Sequence, residues 1–397
     1  METLYRRSFG RLNQVKFDFF RYLYFKIDWQ NRLIFITGTR GVGKTTMILQ
    51  YIKANLPMDS TVVYLSLDDI YFTEHKLIDV VEDFHNMGGT YLFLDEVHKY
   101  KNWNIEIKNI YDNYPDIKIV VTGSSVLNIL EGKADLSRRM TSYHLENMSL
   151  REFIEFEQAI KLPILSLPEI LSDHIALSME ISRLCKPLAS FKQYLEFGCF
   201  PFYKESISGY HEKLRNVINT ILEVDMASVV SVDFEHFGKL KQLLFIISQS
   251  VPFSPNLTHL ASKTSMQRRT VVKYFDLLQR SGLVNLLVSD KKGLSLLGKP
   301  EKVYLANTNY SYALAANQPN VGNLRETFFF NQVKAVGDIN YTRTGDFLIN
   351  SEYTAEVGGK NKDFSQISNI PDSFLAVDDI ASGVGMKIPL WLFGFLY

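Results

Sequence analysis

The sequence predicts an α/β chain built on a parallel sheet, and three observations predict it. Short apolar runs at 33–36, 62–65, 91–94 and 117–121 are separated by stretches with helical spacing. The first run leads directly into GTRGVGKTT, a G-x-x-x-x-G-K-[ST] pattern with a strand before it and a helix after it. The third run delivers two adjacent carboxylates, Asp95 and Glu96, to its end.

In chain order, residues 1–32 bring Phe17, Phe19, Phe20, Tyr22, Tyr24 and Phe25 close together among basic residues. They read as a helix packed on the first domain. The strand from Leu33 continues through Thr37 and stops at Gly38. The loop is Gly38, Thr39, Arg40, Gly41, Val42 and Gly43, followed by Lys44, Thr45 and Thr46. Glycines let successive N–H groups curl toward one anion, and the helix N-terminus adds a positive dipole end. This is a phosphate cradle, the P-loop of a nucleotide-binding domain. Lys44 reaches the β- and γ-phosphate oxygens, and the Thr45 hydroxyl holds Mg²⁺. A second buried strand covers 61–66, and Asp68 and Asp69 after it read as caps or turn formers.

The strand at 91–94 sets Asp95 beside the P-loop as a Mg²⁺ partner and Glu96 where it polarises a water for attack on the γ-phosphate. The carboxylate pair lies about fifty residues beyond Lys44, the spacing of a nucleotide-hydrolysing site. The strand at 117–121 ends in Thr122-Gly123-Ser124-Ser125. Ser124 there senses the γ-phosphate or orients the water, with Thr122 second; the other reading is a helix N-cap. Arg138 and Arg139 follow, either as γ-phosphate charge stabilisers in cis or toward a neighbouring subunit, or as a surface ion pair. The sequence lacks the guanine-reading N-K-x-D, since Asn361-Lys362-Asp363 has no intervening residue. ATP is therefore the expected nucleotide.

The chain of 397 residues is long enough for two to four domains. Lys plus Arg and Asp plus Glu both number 43, so any nucleic-acid surface must be local. Two cysteines, Cys185 and Cys199, have no metal-ligand spacing and fit a reducing cytosol. The N-terminus lacks a signal-peptide apolar region, and no run approaches the ~20 apolar residues of a spanning helix. The expectation is a cytoplasmic protein with no membrane partner.

GTRGVGKTT, LFLDEVHKYKNW, VVTGSS and MSLREF together resemble a large prokaryotic family of AAA-type ATPases that pair an ATPase core with a C-terminal domain of unknown function. The resemblance continues in GCFPFY, LEVDM, KPEKVYLANTNYSYAL, EVGGKNK and IPLWLFGFLY, over nearly the whole chain. It implies a P-loop NTPase core of the AAA/ASCE type over residues 1–150 and a helical lid over 151–235, where Pro163, Pro168 and Pro187 punctuate helical spacing. It also implies ATP and Mg²⁺ as cofactors, and homo-oligomers among the partners.

Residues 236–292 read as a winged helix: helices at 237–249, 256–263 and 266–280, then a wing strand at 283–288. Lys263, Arg268, Arg269, Lys273, Arg280, Lys291 and Lys292 outnumber Asp276 and Asp290 there, and Gln267, Arg268 and Arg269 open the recognition-type helix. Double-stranded DNA is one expected partner; a packing or dimer module is the other reading. Residues 293–397 carry Glu326 on a helix at 324–335, Asp346, Glu356, Lys360 and Lys362. This set resembles the PD-(D/E)XK nuclease fold, in which two carboxylates hold Mg²⁺ and a lysine two residues after the second helps activate water. Here Gly358 takes that lysine's place, and Lys360 lies ~13 Å along an extended strand, so only a bend at Gly358-Gly359 returns it.

The expected function is ATP binding and ATP hydrolysis with Mg²⁺-dependent phosphate chemistry, coupled to DNA. Lys44, Glu96, Ser124 and Arg139 are the catalytic candidates, and Thr45 and Asp95 the metal ligands. The alternatives are a nucleotide-switched DNA-binding regulator, an ATP-gated nuclease and a protein–protein switch.

Overall fold

A computed structural model describes residues 1–125, 136, 138–227, 234–249, 254–289, 299–315 and 318–397. The expected basic residues Lys291 and Lys292, with Asp290, lie outside the described residues. The chain divides into two compact units. The first is Met1–Glu146 together with Glu223–Ser231, and the second is Asn147–Leu222 together with Val232–Tyr397.

The first unit is built on five parallel strands: β1 (Leu33–Gly38), β2 (Val62–Ser66), β3 (Tyr91–Asp95), β4 (Lys118–Ser124) and β5 (Thr141–His144), in the order β2-β3-β4-β1-β5. Parallel strands need crossovers that cover both faces of a sheet, which is why β1 is buried at all six positions and reads as a continuous apolar run. One face packs Phe35, Leu65, Leu92, Leu94, Ile119 and Val121 against Phe84, Trp103 and Ile107. Helix α1 (Glu2–Gln14) buries Leu4, Ser8 and Leu12. The Ser8 hydroxyl accepts from the Tyr64 N–H at 3.1 Å, so α1 caps a donor on the edge strand β2. Helix α2 (Leu23–Lys26) precedes β1, and α3 (Lys44–Asn55), α4 (Leu77–Asn86) and α5 (Trp103–Asn113) are the crossovers.

Register brings the strand ends together. Gly38 of β1 pairs with Ser124 of β4, and Leu94 of β3 pairs with Val121 of β4, which sets Asp95 beside Thr122. Ligands of open parallel sheets bind at the carboxyl ends of the strands where the order reverses, and here that point lies at β1 and β4.

The second unit opens with four helices, α6 (Leu150–Gln158), α7 (Leu167–Leu184), α8 (Pro187–Phe197) and α9 (Tyr210–Thr220). Helix α6 starts with a reciprocal capping box between Ser149 and Glu152. Helices α10 (Phe234–Gln249), α11 (Leu257–Lys263) and α12 (Arg268–Arg280) follow, then β6 (Val284–Leu287). Strand β6 pairs antiparallel with β7 (Lys302–Leu305), so this ladder crosses the expected boundary at 292. After α13 (Thr308–Leu314) and α14 (Val321–Val333) comes a mixed sheet ordered β12-β11-β10-β9-β8. Its strands are β8 (Ile339–Asn340), β9 (Phe347–Ile349), β10 (Tyr353–Gly358), β11 (Ser373–Val377) and β12 (Lys387–Pro389). Strands β10, β11 and β12 run parallel, and β8 and β9 antiparallel. Phe329 of α14 stacks on Phe347 at 5.3 Å and meets Phe393 at 4.9 Å, which ties the helix to the sheet. No helix among the described residues is long and apolar enough to cross a membrane.

Candidate functional site

The loop after β1 curls because two glycines take conformations closed to other residues. Gly41 has φ +86° and Gly43 φ +98°. Gly38 is constrained by space: a Cβ there would lie 2.6 Å from the Leu145 carbonyl oxygen. Helix α3 begins at Lys44 with no side chain on its first amides, so they face the loop. Buried Arg21 donates to the Val42 carbonyl and, at 2.8 Å, to that of Glu146, pinning the loop from behind. The Lys44 ammonium bonds the loop's own carbonyls, Gly38 at 2.8 Å and Thr39 at 3.2 Å. Burial lowers its pKa, offset only in part by Glu96 and Asp95.

Thr45 and Asp95 meet. The Thr45 hydroxyl donates to Asp95 Oδ2 at 2.7 Å, and the Tyr64 hydroxyl donates to the same oxygen at 2.7 Å. Thr122 donates to Asp95 Oδ1 and accepts from the Glu96 N–H at 3.4 Å. Asp95 is thus held by groups from β2, α3 and β4. Burial and the Asp95 charge drive the Tyr64 phenol far above its ordinary range, so it stays a donor. The donor set fits an octahedral divalent ion: one hydroxyl and one carboxylate, with phosphates and water left to complete the shell. Glu96 follows Asp95 with φ +55°, a left-handed conformation that turns it out of the strand direction.

Around Glu96 the structure assembles a group that no sequence pattern announces. Buried Asp225 accepts from Arg40 Nη2 at 3.1 Å and Lys99 Nζ at 2.8 Å. His98 Nδ1 accepts from the Ser124 N–H at 3.4 Å, which leaves the proton on Nε2. That Nε2 lies 3.4 Å from both Glu96 Oε2 and Asp225 Oδ1 without a hydrogen bond of good geometry. Arg40 Nη2 is 3.8 Å from Glu96 Oε2. Burial alone would raise the Asp225 carboxyl; the close approach of His98 and the hydrogen bonds from Arg40 and Lys99 outweigh it and hold the group well below the usual carboxylate range. The segment LEVDM carries no chemical role in the sequence alone, and His98-Lys99 sit inside LFLDEVHKYKNW without one. No local pattern links positions 40 and 225.

Ser124 is the last residue of β4 and is buried; among the described residues its hydroxyl has no hydrogen-bond partner. Arg139 is not brought to this group. It makes a two-pronged ion pair with Asp112 of α5, at 2.9 and 3.1 Å, on an exposed face. Asp69 caps a short turn by accepting from the Tyr71 N–H, and Asp68 accepts from Ser66. Cys185 and Cys199 are buried, and burial pushes both thiols up to about 11, which favours the neutral thiol over the reactive thiolate.

The second unit gathers its own charged set. Lys302 Nζ donates to Glu326 Oε2 at 3.2 Å and Asp346 Oδ1 at 3.0 Å, and Tyr304 donates to Glu326 at 2.6 Å. Asp346 Oδ2 accepts the Val357 N–H at 3.0 Å. Strand β10 runs on through Gly358, which pairs with Val377, so the turn comes one residue later than the expected bend, over 359–362, and the lysine it returns is Lys362, whose Nζ is 2.6 Å from Glu356; Lys360 stays exposed. The turn closes with Lys362 N–H to the Gly359 carbonyl at 2.9 Å. The Mg²⁺ implied by the nuclease resemblance does not fit this donor set, because the Lys302 ammonium already bridges Glu326 and Asp346. Among the described residues no group of three or more His, Cys, Asp or Glu could hold a metal ion.

Residues 30–154 match the family model of the AAA domain, and residues 188–320 match a domain of unknown function (DUF8612). The chain is 27% identical over 274 residues to an uncharacterized protein, MJ1637, of Methanocaldococcus jannaschii. The match covers 64% of this chain and 56% of that protein, so the chain spans just over half the length of this relative. Among solved structures, a variant of Thermotoga maritima RuvB is 14% identical, with 64% of this chain and 82% of that chain covered and a TM-score of 0.30. Aeropyrum pernix ORC1, solved in complex with DNA, is also 14% identical, with 72% and 86% covered and a TM-score of 0.30. AMPPCP-bound DnaA of Aquifex aeolicus is 17% identical, with 68% and 85% covered and a TM-score of 0.27.

Proposed function

We propose that the AAA domain matched by residues 30–154 binds ATP with Mg²⁺ and hydrolyses it. The observation that carries this reading is the contact between Thr45 and Asp95, at 2.7 Å, beside the buried loop lysine and next to Glu96. Lys44 exchanges the Gly38 and Thr39 carbonyls for β- and γ-phosphate oxygens, and the loop amides donate to the same phosphates. Thr45 and Asp95 hold the metal, which supplies charge neutralisation on the phosphates. Glu96 accepts a proton from the attacking water and fixes its line of approach. The Ser124 hydroxyl donates to that water or to the γ-phosphate.

The test is ATP turnover and binding by the purified chain with Mg²⁺. Glu96→Gln is expected to keep ATP binding and to lose turnover by about 10²-fold or more. Lys44→Ala is expected to lose binding. Undiminished turnover in Glu96→Gln would remove Glu96 from its role. Absence of ATP binding by the wild-type chain would remove the whole reading.

A second reading, contact with double-stranded DNA, is favoured by one observation. Gln267, Arg268, Arg269 and Lys273 are exposed on or just before α12, and Lys263 is exposed at the end of α11. Fluorescence anisotropy with a labelled duplex is expected to show binding that weakens steeply with salt. Arg268→Ala with Arg269→Ala should weaken it across sequences; equal affinity in that variant would discard the reading.

A further inference from the structure

Asp225 belongs to the first unit by packing and to the second by chain order. The chain leaves the first unit after Glu146, returns at Glu223 and leaves again after Ser231. A single π-helical turn, Ile221–Asp225, follows α9 and presents the carboxylate. Such turns recur at functional sites because they re-aim one side chain. The Asp225 side chain is fully buried, yet its cationic partners are not: Arg40 is 33% and Lys99 20% exposed. One of these cations comes from the P-loop itself, and the other lies three residues after Glu96. The buried Nε2–H of His98 faces Asp225 and Glu96 without a good hydrogen bond to either. The carboxylate therefore sits where three donors converge, on a cation of the P-loop itself and on two groups that follow Glu96.

We propose that Asp225 is an internal stand-in for the γ-phosphate, so that a nucleoside triphosphate must displace it from Arg40 and Lys99 whereas a diphosphate need not. This deepens the ATPase reading above and rests on it. The physical reason is competition: Arg40 and Lys99 can neutralise one more anion at this position, but not Asp225, Glu96 and a γ-phosphate together. Displacement frees the turn that carries Asp225. Because that turn is joined covalently at both ends to the second unit, the presence of the γ-phosphate reaches that unit through the chain itself. The sequence thus has a route by which triphosphate and diphosphate states differ outside the nucleotide pocket.

The test measures the affinity of the full chain for AMP-PNP and for ADP, each with Mg²⁺, in wild type, Asp225→Asn and Asp225→Ala. AMP-PNP is expected to bind about tenfold more tightly to Asp225→Asn, with ADP affinity changed less than about twofold; retained ADP binding also shows that the variant is folded. Hydrogen exchange of peptides covering 221–227 should accelerate in wild type with AMP-PNP and not with ADP. AMP-PNP affinity that is unchanged or weaker in a variant that still binds ADP would overturn the proposal, as would equal gains for both nucleotides. If neither nucleotide binds wild type, the ATPase reading itself fails and this inference falls with it. If Asp225→Asn does not fold, Asp225→Ala and the wild-type exchange contrast decide the matter: protection of 221–227 by AMP-PNP would refute displacement.

Discussion

Replacing Lys302 by Met should damage the second unit in a way that a divalent cation repairs. Lys302 is the bonded counter-ion of both Glu326 and Asp346, and the three side chains are only 14%, 14% and 16% exposed. Removing one partner of a buried ion pair costs about 3–5 kcal/mol, because the charge left behind is uncompensated. Residual exposure and the Tyr304 hydrogen bond to Glu326 argue for the lower end, about 3 kcal/mol. For a unit with the extent of Asn147–Leu222 plus Val232–Tyr397, each kcal/mol shifts Tm by ~2–4 °C. The expected loss is therefore roughly 6–12 °C for that transition in calorimetry. Two arms identify the cause. Glu326→Gln in the Lys302→Met background should recover part of the loss by removing one orphaned charge. Millimolar Mn²⁺ should raise Tm in Lys302→Met and leave wild type unchanged. A Lys302→Met protein with wild-type Tm, or a wild-type protein that Mn²⁺ stabilises to the same extent, would refute the argument that the ammonium fills the metal position.

Three other perturbations have outcomes set by the geometry. Gly38→Ala puts a methyl 2.6 Å from the Leu145 carbonyl, a backbone atom that cannot swing aside, and should cost about 1–3 kcal/mol and weaken nucleotide binding; an unaffected titration would show that the loop has room. Asp225 has its carboxyl pKa depressed below 3.8, so its stabilisation is complete above that value and is lost as pH falls through the folded-state pKa. Asp225→Asn should flatten the acid limb of the stability curve, and an acid limb identical to wild type would count against the depressed pKa. Arg139→Ala removes an exposed ion pair and should cost under ~1 kcal/mol with turnover within about twofold; a tenfold drop would return Arg139 to the catalytic set.

Much of the first unit is legible in the sequence because its information is local. The runs at 33–36, 91–94 and 117–121 demand burial as strands, and β1, β3 and β4 are found there. The pairing of Thr45 with Asp95 follows from a motif whose spacing encodes geometry. Two features escape for physical reasons. Asp225 lies 185 residues from Arg40, and nothing in a local pattern carries a contact of that separation. A bend after Glu356 is legible as a requirement, but where it falls and which lysine it returns depend on the turn closing at Lys362. For Ser124 the sequence allows both a strand-end role and a helix cap. Pairing of Gly38 with Ser124 extends β4 far enough to make Ser124 its last residue.

The discontinuous first unit has a consequence for its birth on the ribosome. Every strand of its sheet has emerged by His144, yet Arg40 and Lys99 must wait for Asp225. At ~5–20 residues per second that interval is on the order of ten seconds. During it the nascent sheet holds two cations at its mouth with no carboxylate from position 225 to meet them. A chain cut after the AAA match at residue 154 would stay in that unfinished condition permanently. Fragments intended to report on the nucleotide site should therefore extend past Ser231, where the returning segment ends.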